Sequence, residues 1–297
     1  MFPGSMPPGI TFTRASTATY TDASGVIQTV AVNQPRWDYA GGSLRGLLIE
    51  EARTNAVANS GDASNASWGK SGNIVAAPVV TGNQVTSPDG TLTASRVVFP
   101  AVSGASAISA LNLTVSFVGT VAAYTMSIWA RGNVGGEQTY LMFTNGAVFY
   151  RSRITLTTAW QRFSLTTANL TAANWFPAIG ADFRDGSQTA TPAQTIYVWG
   201  GQVEQGGFVT SYIPTTSSGV TRALEVCTIP TAGGNVKLSN NGGAPVTLGG
   251  ALTQSGATRL AIGNDPWSLS SAACAWHRRV GAWPRVLADT EMQQVTT

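Results

Sequence analysis

The stretch AYTMSIWAR, residues 123–131, decides the fold class of this 297-residue chain. Two sets of side chains alternate along it: Tyr124, Met126, Ile128 and Ala130, and between them Thr125, Ser127, Trp129 and Arg131. Successive side chains of a β-strand point to opposite faces of its sheet, so the first set predicts a buried face and the second a more polar face. The stretch therefore predicts a β-strand that is buried on one side.

Similar short stretches, separated by turn residues, continue through the middle of the chain. They are TYLMF (139–143), AVFYRSRITL (147–156), AWQRFSLTT (159–167), WFPAIGADF (175–183) and TIYVWGGQVE (195–204). Hydrophobic residues make up 43% of the chain and charged residues 10%, while 33 glycines favour tight turns over long helices. We therefore predict a mainly β protein, with an antiparallel β-sandwich over residues 56–210.

The segments on either side of the sandwich predict three further parts. Residues 1–55 have a Pro- and Gly-rich arm followed by a docking segment, with a hairpin that turns at residues 22–25. Residues 211–223, SYIPTTSSGVTRA, have the composition of a linker. Residues 224–297 predict a smaller β-rich part that ends in a short helix, which Asp289 can cap.

The composition argues against several classes of function. The net charge of +3 is spread along the chain, so we expect no nucleic-acid partner. The sequence has no run of about 18 apolar residues, so we expect no membrane insertion. The N-terminus lacks a signal-peptide pattern, so we expect assembly in a cytoplasm. A lone histidine, His277, is a weak basis for a catalytic triad or a zinc site. Cys227 and Cys274 are interpreted as buried thiols, with a disulfide as the alternative.

The segment GLLIEEARTN, residues 46–55, places two carboxylates side by side, a pattern that acid–base catalysis also uses. In a strand, however, Glu50 and Glu51 would point to opposite faces and could not act on one substrate. Glu51 would share a face with Arg53, so we predict a structural ion pair between these two side chains. A second ion pair is expected from Glu50 to a neighbouring strand, and the apolar residues 47–49 predict a strand covered on both sides.

Aromatic side chains on the polar strand face suggest a carbohydrate site. Trp129 shares its face with Arg131, and an exposed ring flanked by polar groups can stack on a sugar ring while its neighbours bond the hydroxyls. Trp160 and Trp175 are the other candidates for glycan binding, and Trp68 is a weaker one. The alternative is that these tryptophans close the ends of the sandwich core.

Two carboxylates in the segment ADFRDGS are candidates for a metal site. Asp182 and Asp185 surround a turn at Gly186, and Ca²⁺ takes oxygen ligands from such loops. Without a loop consensus, turn chemistry is the alternative interpretation. No other cofactor is predicted.

Three blocks of the sequence resemble parts of known virion proteins. ITFTRASTATYTDASGVIQTVAVNQPRWDY (10–39), followed by GLLIEEARTN, resembles a segment of many tailed-bacteriophage proteins of the tail-fibre, tail or head-fibre type. NASW, YTMSIWAR, TTAWQRFSLT, YVWGGQVEQGGFVTSYIPTT and VTRALEV are similar to the carbohydrate-binding-module-type jelly roll usually found downstream. AWHRRVGAWPRVLADTEMQQVT is similar to the last strand and closing helix of concanavalin-like domains in phage proteins.

The resemblance implies a non-enzymatic structural protein of the virion that contacts other virion proteins and attaches to host-surface glycans. A purely architectural protein of a baseplate, collar, head fibre or capsid decoration is the alternative, and a polysaccharide depolymerase is a more distant one. The residues after the linker are too few for a complete concanavalin-like sandwich. That part is therefore a reduced domain or is completed by a neighbouring subunit, and the likeness to phage fibres implies a homotrimer.

Overall fold

A computed structural model describes residue 6, residues 11–114, 117–186 and 190–230, and the backbone of four short strands beyond residue 230. The chain divides into two compact units. The terminal unit combines Met1–Ala52 with Ala223–Thr297, and the sandwich unit is the intervening Arg53–Arg222.

The described residues form strands, turns and bends without a helix, which confirms the predicted mainly β class. In chain order the strands are β1 (Thr11–Thr13), β2 (Ala18–Thr21), β3 (Ile27–Val30), β4 (Arg36–Ala40), β5 (Ser43–Ile49), β6 (Arg53–Asn55), β7 (Gly69–Asn73), β8 (Val79–Val85), β9 (Ala94–Phe99), β10 (Ile108–Asn112), β11 (Phe117–Val118), β12 (Tyr124–Gly132), β13 (Gln138–Thr144), β14 (Phe149–Thr155), β15 (Gln161–Thr166), β16 (Asn174–Asp182), β17 (Gln194–Gln205), β18 (Val220–Arg222), β19 (Val226–Pro230), β20 (Lys237–Leu238), β21 (Val246–Thr247), β22 (Arg259–Ile262) and β23 (Ala275–His277). In this part of the chain, accordingly, no helix is long and apolar enough to span a bilayer. The short helix expected at Asp289 lies outside the described residues.

The sandwich unit consists of two antiparallel sheets. The first sheet has the order β14-β13-β16-β10-β7, with β11 also paired to β16, and the second has the order β15-β12-β17-β9-β8. Strands β6 and β18 form a separate two-stranded pair, in which Arg53 lies opposite Arg222. The antiparallel sandwich predicted from AYTMSIWAR is therefore confirmed.

The core lies between the two sheets of the sandwich unit. Met126 and Ile128 of β12 are fully buried in one cluster with Leu141 and Phe143 of β13, so one face of residues 123–131 lies in the core as predicted. Burial of each such side chain stabilises the folded state by about 1.5–3 kcal/mol relative to leaving that side chain exposed. On the other face Thr125 and Ser127 are also buried, at 1% exposure, and only the last two members are partly exposed. The outward face of the second sheet then presents the other set, which includes Trp129 and Arg131.

The terminal unit joins strands from both ends of the chain. Strand β19 pairs with β1 and β22, and β5 pairs with β4 and β23. The apolar residues 47–49 are buried in the middle strand of the second of these sheets, as expected for a strand covered on both sides. The predicted hairpin is present as β2 and β3, where Gly25 takes a positive φ of 81° at the turn.

This pairing corrects two of the predicted boundaries. Residues 1–55 and 224–297 are not separate parts, because β19 and β23 complete sheets begun by the N-terminal strands of the same chain. Residues 211–223 are not a linker either, because Tyr212 and Ile213 are buried in the sandwich unit and Asn55 Nδ2 donates to the Ile213 carbonyl at 2.9 Å.

Two arginines and two glutamates form a fully buried ion-pair network in the terminal unit. Glu225 accepts hydrogen bonds from Arg14 Nη1 at 2.7 Å and from Arg36 Nε at 2.8 Å, and Arg36 Nη2 also reaches Glu50 Oε2 at 2.8 Å. The remaining donors of both guanidinium groups point to backbone carbonyls, including that of Thr19 at 2.7 Å. This saturation lets four charged groups lie out of contact with water.

The network answers the question raised by the adjacent glutamates. Strand β5 ends at Ile49, so Glu50 and Glu51 lie just beyond it, and the predicted strand is shorter than expected. Glu50 forms the expected ion pair with a neighbouring strand, since Arg36 begins β4. The ion pair between Glu51 and Arg53 stays a prediction. Burial alone would lower the pKa of Arg36, but the charges of Glu225 and then Glu50 outweigh it and raise that pKa.

Cys227 is a free, fully buried thiol in the core of the terminal unit. Burial raises the pKa of this thiol to about 11, so the thiolate needed for reaction is scarce at neutral pH. This agrees with the interpretation of Cys227 as a small hydrophobic residue. Cys274 lies outside the described residues.

Candidate functional site

The outward face of the second sheet collects three of the four predicted glycan-binding residues. Trp129 and Arg131 lie on it because they alternate with core residues along β12. Trp160 precedes β15, which pairs with β12 and places Gln161 opposite Ala130. Trp160 therefore arrives on the same face as Arg131.

Four side chains form a row across this face, which we call the aromatic–arginine row: Trp160, Arg131, Tyr197 and Arg96. Tyr197 of β17 lies directly opposite Arg131 on one side and Arg96 of β9 on the other. The Arg131 guanidinium lies 5.0 Å from the centroid of the Tyr197 ring and 5.7 Å from that of Trp160. One cation is thus held between two aromatic rings, an arrangement that favours both partners.

Hydrogen bonds fix the orientation of the row. Trp160 Nε1 donates to the Thr86 carbonyl at 2.9 Å, and the Tyr197 hydroxyl donates to Asn133 Oδ1 at 3.2 Å. Both rings nevertheless remain half-buried rather than covered. A ring that is already fixed in place loses little conformational entropy when a ligand stacks on it. The row is therefore a pre-organised surface with two accessible aromatic rings.

Trp129 lies beside the row but packs mainly against protein. Its ring forms edge contacts with Trp199 and Tyr212, with centroids 5.5 and 5.4 Å away, and the Arg162 guanidinium lies over it at 4.3 Å. Trp199 and Tyr212 are themselves buried, and burial raises the pKa of the Tyr212 hydroxyl above its usual value. Trp129 thus belongs to a small aromatic cluster that supports the row.

Trp175 was predicted to bind glycan, but the structure places its side chain in the core instead of on the outward face. Its side chain is only 2% exposed in the sandwich core, where its indole N–H donates to the Thr171 carbonyl at 3.1 Å. Trp68 is likewise buried, at 1% exposure. Both follow the alternative interpretation, in which tryptophans close the core.

The two carboxylates proposed as calcium ligands are bound by arginines instead. Asp182 is buried and accepts hydrogen bonds from Arg184 Nε at 2.9 Å and Nη2 at 2.5 Å, while Asp185 pairs with Arg151. Within the described ranges, no three or more His, Cys, Asp or Glu side chains are close enough together to hold a metal ion. The ion pairs therefore favour the alternative interpretation, a structural turn, over a calcium site.

Adding millimolar CaCl₂ is expected to change the melting temperature by less than about 1 °C. Binding of Ca²⁺ to the folded state alone would raise the melting temperature, and each kcal/mol would shift it by about 2–4 °C in a domain of this size. Thermal unfolding with NaCl at matched ionic strength is the control. A rise of several degrees that Asp185→Asn abolishes would contradict this expectation.

The terminal unit contains a cleft of about 490 Å³ that offers a different surface. Tyr20, Trp37 and Tyr39 are among its lining residues, and Asp22 is the one charged group among those that the structure describes. The Asp22 carboxylate is engaged by its own hairpin, where the backbone N–H of Val26 and then the Gln28 amide lower its pKa. The cleft therefore lacks the unengaged charged groups of the row.

Two members of the row were not found from the sequence. Tyr197 alternates with buried Val198 in TIYVWGGQVE, so its outward position could have been inferred from the period-two pattern. Arg96 could not, because its proximity to Tyr197 depends on the pairing of β9 with β17.

Similarity to known proteins was compared at the level of sequence and of structure. No protein-family model and no curated protein sequence matches the chain significantly. An enzymatically active domain of tailspike protein 4 from bacteriophage CBA120 is similar over 51% of this chain, with 16% identity and a TM-score of 0.37. This chain covers only 21% of that tailspike chain.

Carbohydrate-binding modules are also among the similar structures. The family 11 module from Clostridium thermocellum, in complex with a β-1,3-1,4-mixed-linked tetrasaccharide, has 10% identity and a TM-score of 0.35, covering 53% of this chain and 97% of the module. The module TmCBM61, in complex with β-1,4-galactotriose, has 12% identity and a TM-score of 0.34, covering 51% and 99%. Identities this low do not transfer a ligand or an activity.

Proposed function

We propose that this protein is a structural component of a tailed-bacteriophage particle, and that its sandwich unit attaches to host-surface glycans through the aromatic–arginine row. The observation on which the proposal rests is the pair of half-exposed rings, Trp160 and Tyr197, fixed around Arg131. Aromatic rings pack against the apolar face of a sugar, and a guanidinium donates hydrogen bonds to its oxygen atoms. Both chemistries are present in one row.

The virion part of the proposal is supported by the sequence of the terminal unit. The block 10–39 and the segment GLLIEEARTN resemble phage virion proteins, and both lie in this unit. Its buried network uses Arg14, Arg36 and Glu50 from these two stretches. We therefore propose that the terminal unit docks to other virion proteins, in a homotrimer, and that the protein resides in the virion.

We further propose that attachment involves no catalysis. Three of the four carboxylates that the sequence singled out are held by arginines: Glu50 by Arg36, and Asp182 and Asp185 by Arg184 and Arg151. An acid or base that is engaged in such an ion pair is poorly placed to exchange protons with a substrate. Incubating the protein with a polysaccharide that it binds, and measuring new reducing ends, tests this point.

An architectural role is the second candidate function. Val118 and Val121 are 67% and 79% exposed and lie close together in the sequence, and Val134 is 77% exposed. Exposed apolar side chains that cluster favour contacts with other proteins. Under this alternative the row itself would be covered in the assembled particle, and no polysaccharide would bind.

Trp160→Ala is expected to weaken binding to host-surface polysaccharide by about tenfold or more, equivalent to about 1.4 kcal/mol. The substitution removes one aromatic ring and frees the Arg131 guanidinium from its stack. Surface plasmon resonance on immobilised envelope polysaccharide measures the effect. Phe208→Ala is the matched control, because it removes an exposed ring of the same unit outside the row. Equal losses in both variants, or no binding by the unaltered protein, would contradict the proposal.

A further inference from the structure

We infer that the glycan bound by the aromatic–arginine row is acidic, and that Arg96 and Arg131 bind its anionic groups. The inference rests on the proposed glycan-binding function and adds the chemical class of the ligand. The observation behind it is that neither guanidinium group forms a described ion pair, whereas arginines on the other side of the sandwich unit are paired with carboxylates.

Arg96 is an exposed cation without a partner among the described residues. It lies on β9 opposite Tyr197 and, on its other side, opposite Thr81 of β8. Arg151 and Arg184 on the first sheet are paired with carboxylates, whereas no described acidic side chain forms an ion pair with Arg96. A guanidinium left with all its donors in solvent is available to an incoming anion.

Arg131 also retains unused donors. Its one described hydrogen bond is from Nη1 to the Thr158 carbonyl at 3.3 Å, which is long for a charged donor. Nη2 has no described acceptor, whereas Nε is buried and out of reach of a ligand. The two rings on either side of it fix the plane of the guanidinium. A planar donor held in a fixed orientation matches the two oxygens of a carboxylate.

The acidic side chains near this face do not neutralise the row. Glu137, five residues after Gly132, accepts a hydrogen bond from the Val134 backbone N–H at 2.8 Å. Asp89 accepts from the Thr91 backbone N–H at 3.0 Å and from its own loop's hydroxyl groups. Glu204 lies buried and accepts from Thr210. None of these carboxylates forms a described ion pair with Arg96 or Arg131, so both cations of the row keep a charge that no described acidic side chain pairs.

The spacing of the two cations suits a polymer better than a small ion. Arg131 and Arg96 flank Tyr197 on successive strands, and neighbouring strands lie about 4.7–4.9 Å apart, so their backbones are separated by roughly 10 Å. One sugar ring stacked near Tyr197 would leave both guanidinium groups beside it. Two cations are also few for a nucleic-acid track, which requires many phosphate contacts. The row thus favours an acidic polysaccharide.

A glycan array that carries both neutral glycans and glycans with uronic acid, sialic acid or phosphodiester groups tests the inference with the full chain. We expect acidic glycans to be bound preferentially, and each carboxylate-bearing glycan to lose at least tenfold in affinity when its carboxylates are methyl-esterified. The comparison of uronic and sialic acids with phosphodiesters identifies which anion the row prefers. Binding should also weaken as the salt concentration rises.

Arg96→Gln is expected to reduce binding to acidic glycans about tenfold without a change in melting temperature, because the side chain is exposed and unpaired. Arg153→Gln is the control, since it removes the same charge from an exposed position on the first sheet. Binding confined to neutral glycans, or unchanged by esterification, would overturn the inference and leave the proposed function intact. If no glycan binds, the proposed function itself fails. Equal binding of a single-stranded oligonucleotide would overturn the inference by showing a general polyanion site.

Discussion

Glu225→Gln is expected to lower the free energy of unfolding of the terminal unit by about 3–5 kcal/mol, the range for removing one charge of a buried ion pair. Glu225 accepts hydrogen bonds from Arg14, from Arg36 and from the Glu50 backbone N–H. Glutamine has nearly the same shape, but its amide nitrogen cannot accept a hydrogen bond. Two fully buried guanidinium groups would then face one remaining negative charge, that of Glu50.

Hydrogen exchange measured by mass spectrometry at increasing denaturant tests this expectation, because it resolves strands β1, β5 and β19 from those of the sandwich unit. Glu51→Gln is the matched control. Glu51 is only half-buried and lies outside the buried network, so its loss should cost no more than about 1 kcal/mol. If Glu225→Gln altered stability by less than the control, the network would be irrelevant to folding.

Trp175→Ala is expected to destabilise the sandwich unit by about 3–5 kcal/mol and to leave glycan binding of the folded protein unchanged. The ring is 2% exposed and packs against Tyr150, with ring centroids 5.9 Å apart. Truncation removes this contact, leaves a cavity in a close-packed core and strands the Thr171 carbonyl. Thermal unfolding and polysaccharide binding, measured below the unfolding transition, separate the two effects.

Trp160→Ala gives the reverse pattern and serves as the comparison. Its half-exposed ring should contribute little to stability and much to binding. A Trp175→Ala variant that kept its stability but lost binding would place Trp175 in the glycan site and would contradict its assignment to the core. The two tryptophans were equal candidates in the sequence, so the pair of variants tests what the structure adds.

The local pattern of the sequence was sufficient for the sandwich and for part of the site. The alternation of residues 123–131 identifies the two faces of β12, because strand geometry determines them, but it does not predict that Thr125 and Ser127 are buried too. Trp129 and Arg131 were therefore placed on the correct face. Trp175 was not placed correctly. In an apolar stretch such as WFPAIGADF, whether a tryptophan points to the core or to solvent depends on which strands cover it.

Most of the errors concern contacts between residues far apart in the chain. Arg14 and Glu225 are separated by 211 positions, and no local pattern links them. The polar composition of residues 211–223 predicted a linker, but hydrogen bonds from Asn55 and Ser60 bury part of this segment. Asp182 pairs with Arg184, two residues away, and Asp185 pairs with the distant Arg151. The local sequence could not distinguish these ion pairs from metal binding.

The pairing of β1 with β19 also determines how early the terminal unit can fold during synthesis. At about 5–20 residues per second, the 211 positions between Arg14 and Glu225 take the ribosome roughly 10–40 s to add. All strands of the sandwich unit, from Arg53 to Arg222, emerge within that interval. The sandwich is thus able to fold while β1 still lacks β19 and β5 still lacks β23. During this delay the apolar residues 47–49 lack the pairing of β5 with β23, which leaves them more accessible to chaperones in the nascent chain.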